Sequence, residues 1–314
     1  MLETPDHRTV LVIVGPTGIG KSNLAIELAK QVNGEIISAD SRYLYRGMNI
    51  GTAKPTFDQL ASVIHHLVDV AEPDESWSLA RFLKETQKKI NEIHRRKRIP
   101  ILTGGTGQYI RALTEGWRVP EFETDQKLRR VLNQWGQRIG AMGLHEKLRL
   151  LDKEAADFID ASNMRRTVRA LEVIFTTGKR FSDCRRKDGP AYDFRIIGLH
   201  MEREKLYERI DERIDHMIAA GLEEEVRNLL IKGYGTDLPA MSAIGYREMA
   251  RFINGEIDLE SAKALMRKNT RNLVRRQANW FKSSNPEIRW YETGEQTTIQ
   301  VLDDLAAAGI WKKQ

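Results

Sequence analysis

The chain has a single cysteine, Cys184, among 314 residues. That excludes an internal disulfide and any zinc site built on cysteines, and it suits a reducing cytoplasm. Long apolar runs are also missing. Val10–Val14 spans five residues before a glycine, and no longer stretch follows, so neither a signal peptide nor a membrane contact is expected. Internal repeats and low-complexity tracts are absent too. What remains is 41% hydrophobic and 30% charged, enough for one large domain or for a core carrying an inserted module. The net charge of +6 and a pI near 9.3 lean toward a polyanionic partner.

The strongest motif comes directly after the apolar run. Gly15, Pro16, Thr17, Gly18, Ile19, Gly20, Lys21 and Ser22 read G-x-x-x-x-G-K-S, and Leu24, Leu28 and Val32 then recur at helical spacing. A strand, a glycine turn and a helix in that order are the context a phosphate-binding P-loop requires. Glycines let backbone N–H groups curl around phosphate oxygens, and the helix N-terminus adds partial positive charge. Lys21 supplies a mobile cation for the terminal phosphate, and Ser22 Oγ is a candidate Mg²⁺ ligand. A glycine turn that merely ends a strand is the competing reading. The pattern predicts a bound di- or triphosphate and leaves open which one.

Residues 1–8 are polar and expected to fray, strand one covers Thr9–Val14, and Asn33-Gly34 stops the first helix. Glu35–Ala39 is the second strand, with Asp40 at its carboxyl end. Open α/β sheets bind ligands at that edge, so Asp40 belongs on the P-loop's rim unless it only caps the turn. Residues 40–55, rich in glycine and polar groups, read as a loop over the site. His66–Val70 is a third strand candidate, in which Asp69 could serve as a magnesium aspartate; the adjacent His65 and His66 suit a structural role. Ser78 to about Arg96 is helical, and Arg95–Arg98 reads as its solvated basic cap. Ile99–Thr103 is a strand followed by a second glycine turn, Gly104–Gly107, which aims the Thr106 hydroxyl at the same rim.

Residues 118–190 change character: strand signals vanish, and 16 lysines and arginines face 11 acids. Arg165 and Arg169 share a helix face there, with Arg166 beside them. This divides the chain into 1–117, the first part of the α/β core, an inserted helical domain at 118–190, and a return to the core over 191–314. Phe194–Leu199 resumes the sheet, with Arg203 and Arg209 just beyond it on a helix running to Lys232; Ile288–Tyr291 is the last strand. Residues 261–290 carry eight basic residues and one acid, Glu287. Arg267, Arg271 and Arg275 stack at i, i+4, i+8, each like-charge pair costing about 0.2–0.5 kcal/mol. Such a row asks for an anionic partner, with RNA backbone the natural candidate and a merely solvated basic helix the alternative.

Together these motifs resemble the tRNA dimethylallyltransferase (tRNA isopentenyltransferase) family. The resemblance rests on Gly15–Ser22, Asp40-Ser41-Arg42 with Tyr45, Gly47–Pro55, Gly104–Gly107 with Tyr109, Arg166, Arg169–Val173, Ala243–Glu248 and Arg271–Trp280. These stand in family order across about residues 10–281. The resemblance implies an α/β fold: a P-loop NTPase-like core with a parallel sheet, helices on both faces and the inserted helical domain. It also implies transfer of a dimethylallyl group from dimethylallyl diphosphate to N6 of the adenosine just 3′ of the anticodon, in tRNAs reading codons that begin with U. The P-loop would then hold the prenyl diphosphate rather than a nucleotide, with Mg²⁺ on Ser22 and help from Arg209. Asp40 would be the general base for the adenine amine, with Thr106 hydrogen-bonded nearby and Lys21 on the leaving group. Contacts to the anticodon stem-loop would come from Asp40, Ser41, Arg42, Tyr43, Thr106, Arg129, Arg165, Arg166, Arg169, Ser242, Gly245, Tyr246, Arg247, Arg271, Arg275 and Arg276. The chain is expected to act as a monomer in the cytoplasm.

Two positions depart from the family pattern. Tyr43 replaces a frequent Gln, and could stack on a base where Gln would hydrogen-bond. Met164 replaces a frequent Asp ahead of the insertion arginines. The rival readings are a P-loop kinase, a prenyltransferase acting on free adenylate, and an RNA-binding protein with a relict P-loop. None of them uses the phosphate rim and the basic segments together.

Overall fold

Six short strands form one sheet. The strands are β1 (Thr9–Val14), β2 (Gly34–Ser38), β3 (His65–His66), β4 (Ile99–Thr103), β5 (Asp193–His200) and β6 (Ile288–Glu292). The computed structural model describes residues 8–119, 125–185 and 187–311; of residues 1–8, expected to fray, 1–7 lie outside the described residues, and Arg8 O accepts from Asp193 N–H at 2.8 Å. The strands lie in the order β3-β2-β4-β1-β5-β6, and every pairing is parallel. All residues of β1, β2 and β4 are buried, so both faces of the sheet's centre are covered. Parallel strands need crossovers, and helices supply them. The α-helices in chain order are α1 (Lys21–Gln31), α2 (Phe57–Ser62), α3 (Leu79–Arg95), α4 (Gly107–Thr114), α5 (Gln126–Leu151), α6 (Lys153–Phe158), α7 (Met164–Thr177), α8 (Arg203–Ala219), α9 (Leu222–Ile231), α10 (Tyr246–Ile253), α11 (Leu259–Trp280) and α12 (Thr297–Ala307). The α/β class expected from the sequence is the one observed. Because β4 inserts between β2 and β1, the carboxyl ends of β1, β2 and β4 are neighbours, and the loops that follow them share one rim.

The described residues fall into two compact units. One holds the sheet and comprises the chain through Ser78, Phe82–Arg111 and everything from Tyr192 on. The other comprises Leu79–Arg81 and Ala112–Ala191 and is helical. It has its own apolar core, in which Leu132, Leu144, Leu148, Val168 and Leu171 are almost fully buried. Met164 packs against that core, and a Cβ on Gly136 would meet its Sδ at 2.5 Å. The departure at 164 therefore has a packing role.

Four local expectations are corrected. The third strand is only His65–His66, because Leu67 and Asp69 adopt left-handed backbone (φ 59° and 53°) that ends extension. Asp69 pairs with Lys54 and its N–H donates to Tyr43 O, so it is a loop clamp rather than a magnesium aspartate. The helix read from Arg203 to Lys232 breaks at Gly221 (φ 95°) into α8 and α9. The basic Arg95–Arg98 run is more than a solvated cap. Arg96 and Arg98 both donate to Glu35, a completely buried carboxylate on β2 that also lies 2.7 Å from His66 Nε2.

Candidate active site

The P-loop runs from β1 into α1 with Gly15, Gly18 and Gly20 at φ 146°, 83° and 105°. A side chain at Gly15 would also strike Leu199 O, 2.8 Å from the position of its Cβ. Gly20 caps α1 without a side-chain hydrogen bond, and no acid occupies the first turn. The N–H groups opening α1 are thus left for an anion, and the helix dipole favours one. Lys21 folds back over the loop, donating from Nζ to Pro16 O at 2.8 Å. Burial pushes this lysine down to about 8, a fall that Asp40 resists and Arg213 assists.

Asp40 follows β2 and is held by the second glycine turn. Ala39 N–H donates to Thr103 O at 2.7 Å, Thr106 N–H to Ala39 O at 3.2 Å, and Ser41 N–H to Thr106 Oγ1 at 3.0 Å. The close approach requires Gly104, since a Cβ there would sit 2.3 Å from the Ala39 carbonyl carbon. Arg42 N–H donates to Asp40 Oδ1 at 2.9 Å, while Oδ2 faces Gly105. Asp40 therefore has a fixed carboxylate whose charge acts on both Lys21 and Tyr43.

A third element ties the two glycine turns together. Gln277, on α11 and almost fully buried, accepts from Thr17 N–H at 2.8 Å and donates to Gly105 O at 2.9 Å. One amide thus sets the gap between the phosphate loop and the Asp40 side. Tyr43 lies at the phosphate end of the site. Its hydroxyl donates to Ala53 O at 2.7 Å, and burial pushes it up to about 12, a rise that the Asp40 charge adds to and that Arg213 and Ser22 oppose. Arg213 Nη2 donates to Thr52 O at 3.3 Å. The arrangement suits a leaving diphosphate beside a carboxylate base: clustered N–H donors and cations at one end, and a held carboxylate at the other.

The family model for IPP transferase matches residues 43–284. A tRNA dimethylallyltransferase of Thermomicrobium roseum is 44% identical over 286 residues, covering 91% of this chain and 87% of that protein. The crystal structure of a full-length tRNA isopentenylpyrophosphate transferase from Bacillus halodurans superposes with a TM-score of 0.71 at 37% identity, covering 97% of each chain. A eukaryotic dimethylallyltransferase described as acting on tRNA gives a TM-score of 0.80 at 27% identity, covering 98% of this chain and 81% of the other.

The chain belongs to the IPP transferase family.

Within this IPP transferase fold, the residues expected at the site take several different positions. Gly15 to Ser22, Asp40, Thr106 and Tyr43 come together on one rim, where the Tyr43 hydroxyl donates to Ala53 O. Arg209 is exposed, with its guanidinium 3.9 Å from Met201 Sδ; Arg213, one turn later, is the arginine whose charge reaches Lys21. Ser41 is tied to Thr106, and Arg42 donates to Pro239 O at 2.7 Å and to Ser242 Oγ at 3.2 Å, bracing the loop ahead of α10. Tyr246 is completely buried, which leaves it a packing role instead of a contact with RNA. Gly245 N–H and Arg247 both donate to the buried Glu248, at 2.8 and 3.1 Å. The row on α11 finds its anions inside the protein: Arg267 pairs with Asp215 at 2.9 Å and Arg271 with Asp211 at 2.6 Å, while Arg275 and Arg276 are exposed. In the helical unit Arg129 and Arg169 converge on the buried Glu172 at 2.8 and 2.9 Å, and Arg165 and Arg166 are exposed. The expectation of a bare basic surface therefore narrows to Arg165, Arg166, Arg275 and Arg276.

Arg213 and Gln277 were missed from sequence. Gln277 carries a legible signal: it stands three residues after Val274 and four before Phe281, both buried, so it is a polar side chain on an apolar face.

Proposed function

We propose that this chain transfers a dimethylallyl group from dimethylallyl diphosphate to N6 of the adenosine 3′-adjacent to the anticodon, in tRNAs reading codons that begin with U, and releases diphosphate. The observation that carries the reading is the pairing of a P-loop with the Asp40 carboxylate on one rim, at a separation fixed by Gln277. The N–H groups opening α1, Lys21 and Arg213 stabilise the charge that develops as the diphosphate departs and the allylic carbon gains cationic character. The exocyclic amine is a poor nucleophile because its lone pair is delocalised into the ring. Asp40 accepts its proton as the new C–N bond forms, a contribution of about 10²–10⁴-fold. Thr106 and Gln277 hold the Asp40 turn against the P-loop during the transfer. The target adenine leaves its stack to reach the site.

Among the described residues no group of three or more His, Cys, Asp or Glu side chains is placed to hold a metal. The one protein donor the reading needs is the Ser22 hydroxyl at the start of α1, an oxygen ligand of the kind Mg²⁺ takes, with diphosphate oxygens and water as the remaining ligands. Bound there, Mg²⁺ would neutralise leaving-group charge. Arg165, Arg166, Arg275 and Arg276 would meet tRNA phosphates as exposed cations. Among the described residues no helix is long and apolar enough to cross a membrane. The substrate and the lone cysteine support a cytoplasmic location.

The test is transfer of radiolabel from dimethylallyl diphosphate, with Mg²⁺, to unmodified tRNA, with free AMP and ATP in parallel reactions. Label in tRNA alone is expected. Label in the free nucleotides would move the reading to adenylate prenylation, and ATP turnover without label transfer to a kinase.

A further inference from the structure

The stretch Gly47–Pro55 marks the family strongly in the sequence, yet none of its side chains has a part in the chemistry above. Its backbone is bound to one carboxylate far along the chain. Glu225, in the first turn of α9, accepts from Asn49 N–H at 2.9 Å, from Ile50 N–H at 2.9 and 3.0 Å, and from Gly51 N–H at 3.2 Å. The Tyr246 hydroxyl donates to the same carboxylate. Four donors from two segments thus converge on one side chain. Gly51 permits the packing, since a Cβ there would lie 2.5 Å from the Tyr246 ring.

The next two residues of the strap carry the consequence. Thr52 O accepts from Arg213, and Ala53 O accepts from Tyr43. Arg213 stands three residues after Ile210 on α8, whose Cγ1 a Cβ on Gly18 of the phosphate loop would meet at 3.1 Å, and Tyr43 stands three residues after Asp40 on the same rim. The three strap N–H groups tied to Glu225 directly precede the two carbonyls that orient groups at the phosphate end.

We propose that Glu225 is a positioning residue for the diphosphate: by gathering the Asn49, Ile50 and Gly51 N–H groups it holds the Thr52 and Ala53 carbonyls where they aim Arg213 and Tyr43 at the phosphate site. A carboxylate suits this task because both its oxygens accept. An amide keeps one acceptor and turns two N–H donors toward the strap's own N–H groups. The inference deepens the proposed function by naming what shapes its donor subsite, and it depends on that reading only for the identity of the organic group.

The experiment measures the affinity of the full chain for inorganic diphosphate with Mg²⁺ by calorimetry, and separately its affinity for tRNA. The proteins are wild type, Glu225→Gln, Tyr246→Phe, Arg213→Ala and the Glu225→Gln/Arg213→Ala double variant. Glu225→Gln is expected to weaken diphosphate binding about tenfold or more and to leave tRNA affinity within about twofold. Tyr246→Phe should shift diphosphate binding in the same direction by a smaller factor. The double variant should lose less than the product of the two single effects, since Glu225 acts partly through Arg213. Diphosphate affinity unchanged in both Glu225→Gln and Tyr246→Phe, whatever happens to their melting temperatures, would overturn the proposal. So would fully multiplicative effects, or an equal loss of tRNA affinity. Wild type that binds diphosphate but transfers no prenyl label would instead count against the proposed function, and the comparison of variants would still decide the role of Glu225.

Discussion

Replacing Gln277 by Ala isolates the link between the two halves of the site. The amide makes two hydrogen bonds across it, from Thr17 N–H and to Gly105 O, at 2.8 and 2.9 Å. Each is worth about 1 kcal/mol net, and a partner left buried without a replacement costs about 1–3 kcal/mol. Some water will enter the space vacated, so a loss of about 2–4 kcal/mol in folding stability is expected from urea denaturation. Turnover should fall further than stability alone explains. The P-loop holds the leaving group and the Asp40 turn holds the base, and a misplacement of about 1 Å between them costs on the order of 10²-fold. The assay is single-turnover transfer at saturating substrates, under conditions where the variant is still folded. Gly105→Ala should reproduce the defect from the other side, because its Cβ would sit 2.5 Å from Gln277 Nε2. A folded Gln277→Ala enzyme with turnover within about threefold of wild type would refute the reasoning, since the fixed separation would then have no catalytic value.

Other predictions address the groups on either side of that link. Asp40→Asn should lower turnover by about 10²–10⁴-fold without altering tRNA affinity, measured by single-turnover kinetics and filter binding. Lys21 lies below its ordinary value, near 8, so the free enzyme carries this charge below that pH and loses it above. The kcat/KM for the prenyl diphosphate should therefore fall as pH rises through about 8, and Lys21→Ala should abolish that limb while lowering activity at every pH. At the amino end of β2, burial alone would raise the Glu35 carboxyl, but hydrogen bonds from Arg96 and His66 outweigh it and hold the group below the ordinary value. A depressed carboxyl contributes stability above its unfolded pKa and loses it as pH falls through the folded one. Glu35→Gln should accordingly be less stable at neutral pH and show a flatter acid limb in denaturant titrations from pH 7 to 3.

The parts of this molecule that could be read from its residues are those whose physics is local. Val10–Val14 before a glycine loop is a buried strand wherever it occurs, and the turns at Gly15–Ser22 and Gly104–Gly107 carry their conformational demands in their composition. The rim followed, because carboxyl ends of parallel strands lie on one edge. What escaped depends on partners distant in the chain. Glu225 follows Glu223 and Glu224 within the stretch read as one helix to Lys232, where nothing in its spacing marks it; only the fold brings residues 49–51 to it. The spacing of the basic row on α11 points to RNA, but Asp211 and Asp215 on α8 face it, and much of its charge is met inside the protein. Arg129 and Arg169 gave the same impression for the same reason, with Glu172 as the hidden partner. Charge counts see sign and spacing, but they do not see which charges are already neutralised.

The most direct measurement of the central claim is nucleoside analysis by mass spectrometry of an unmodified tRNA after incubation with the protein, Mg²⁺ and dimethylallyl diphosphate. The account predicts one added dimethylallyl group on the adenosine 3′-adjacent to the anticodon, lost when that adenosine is replaced or when Asp40 is changed to Asn. An unchanged tRNA, or a modification that persists in the Asp40→Asn variant at the wild-type rate, would contradict it.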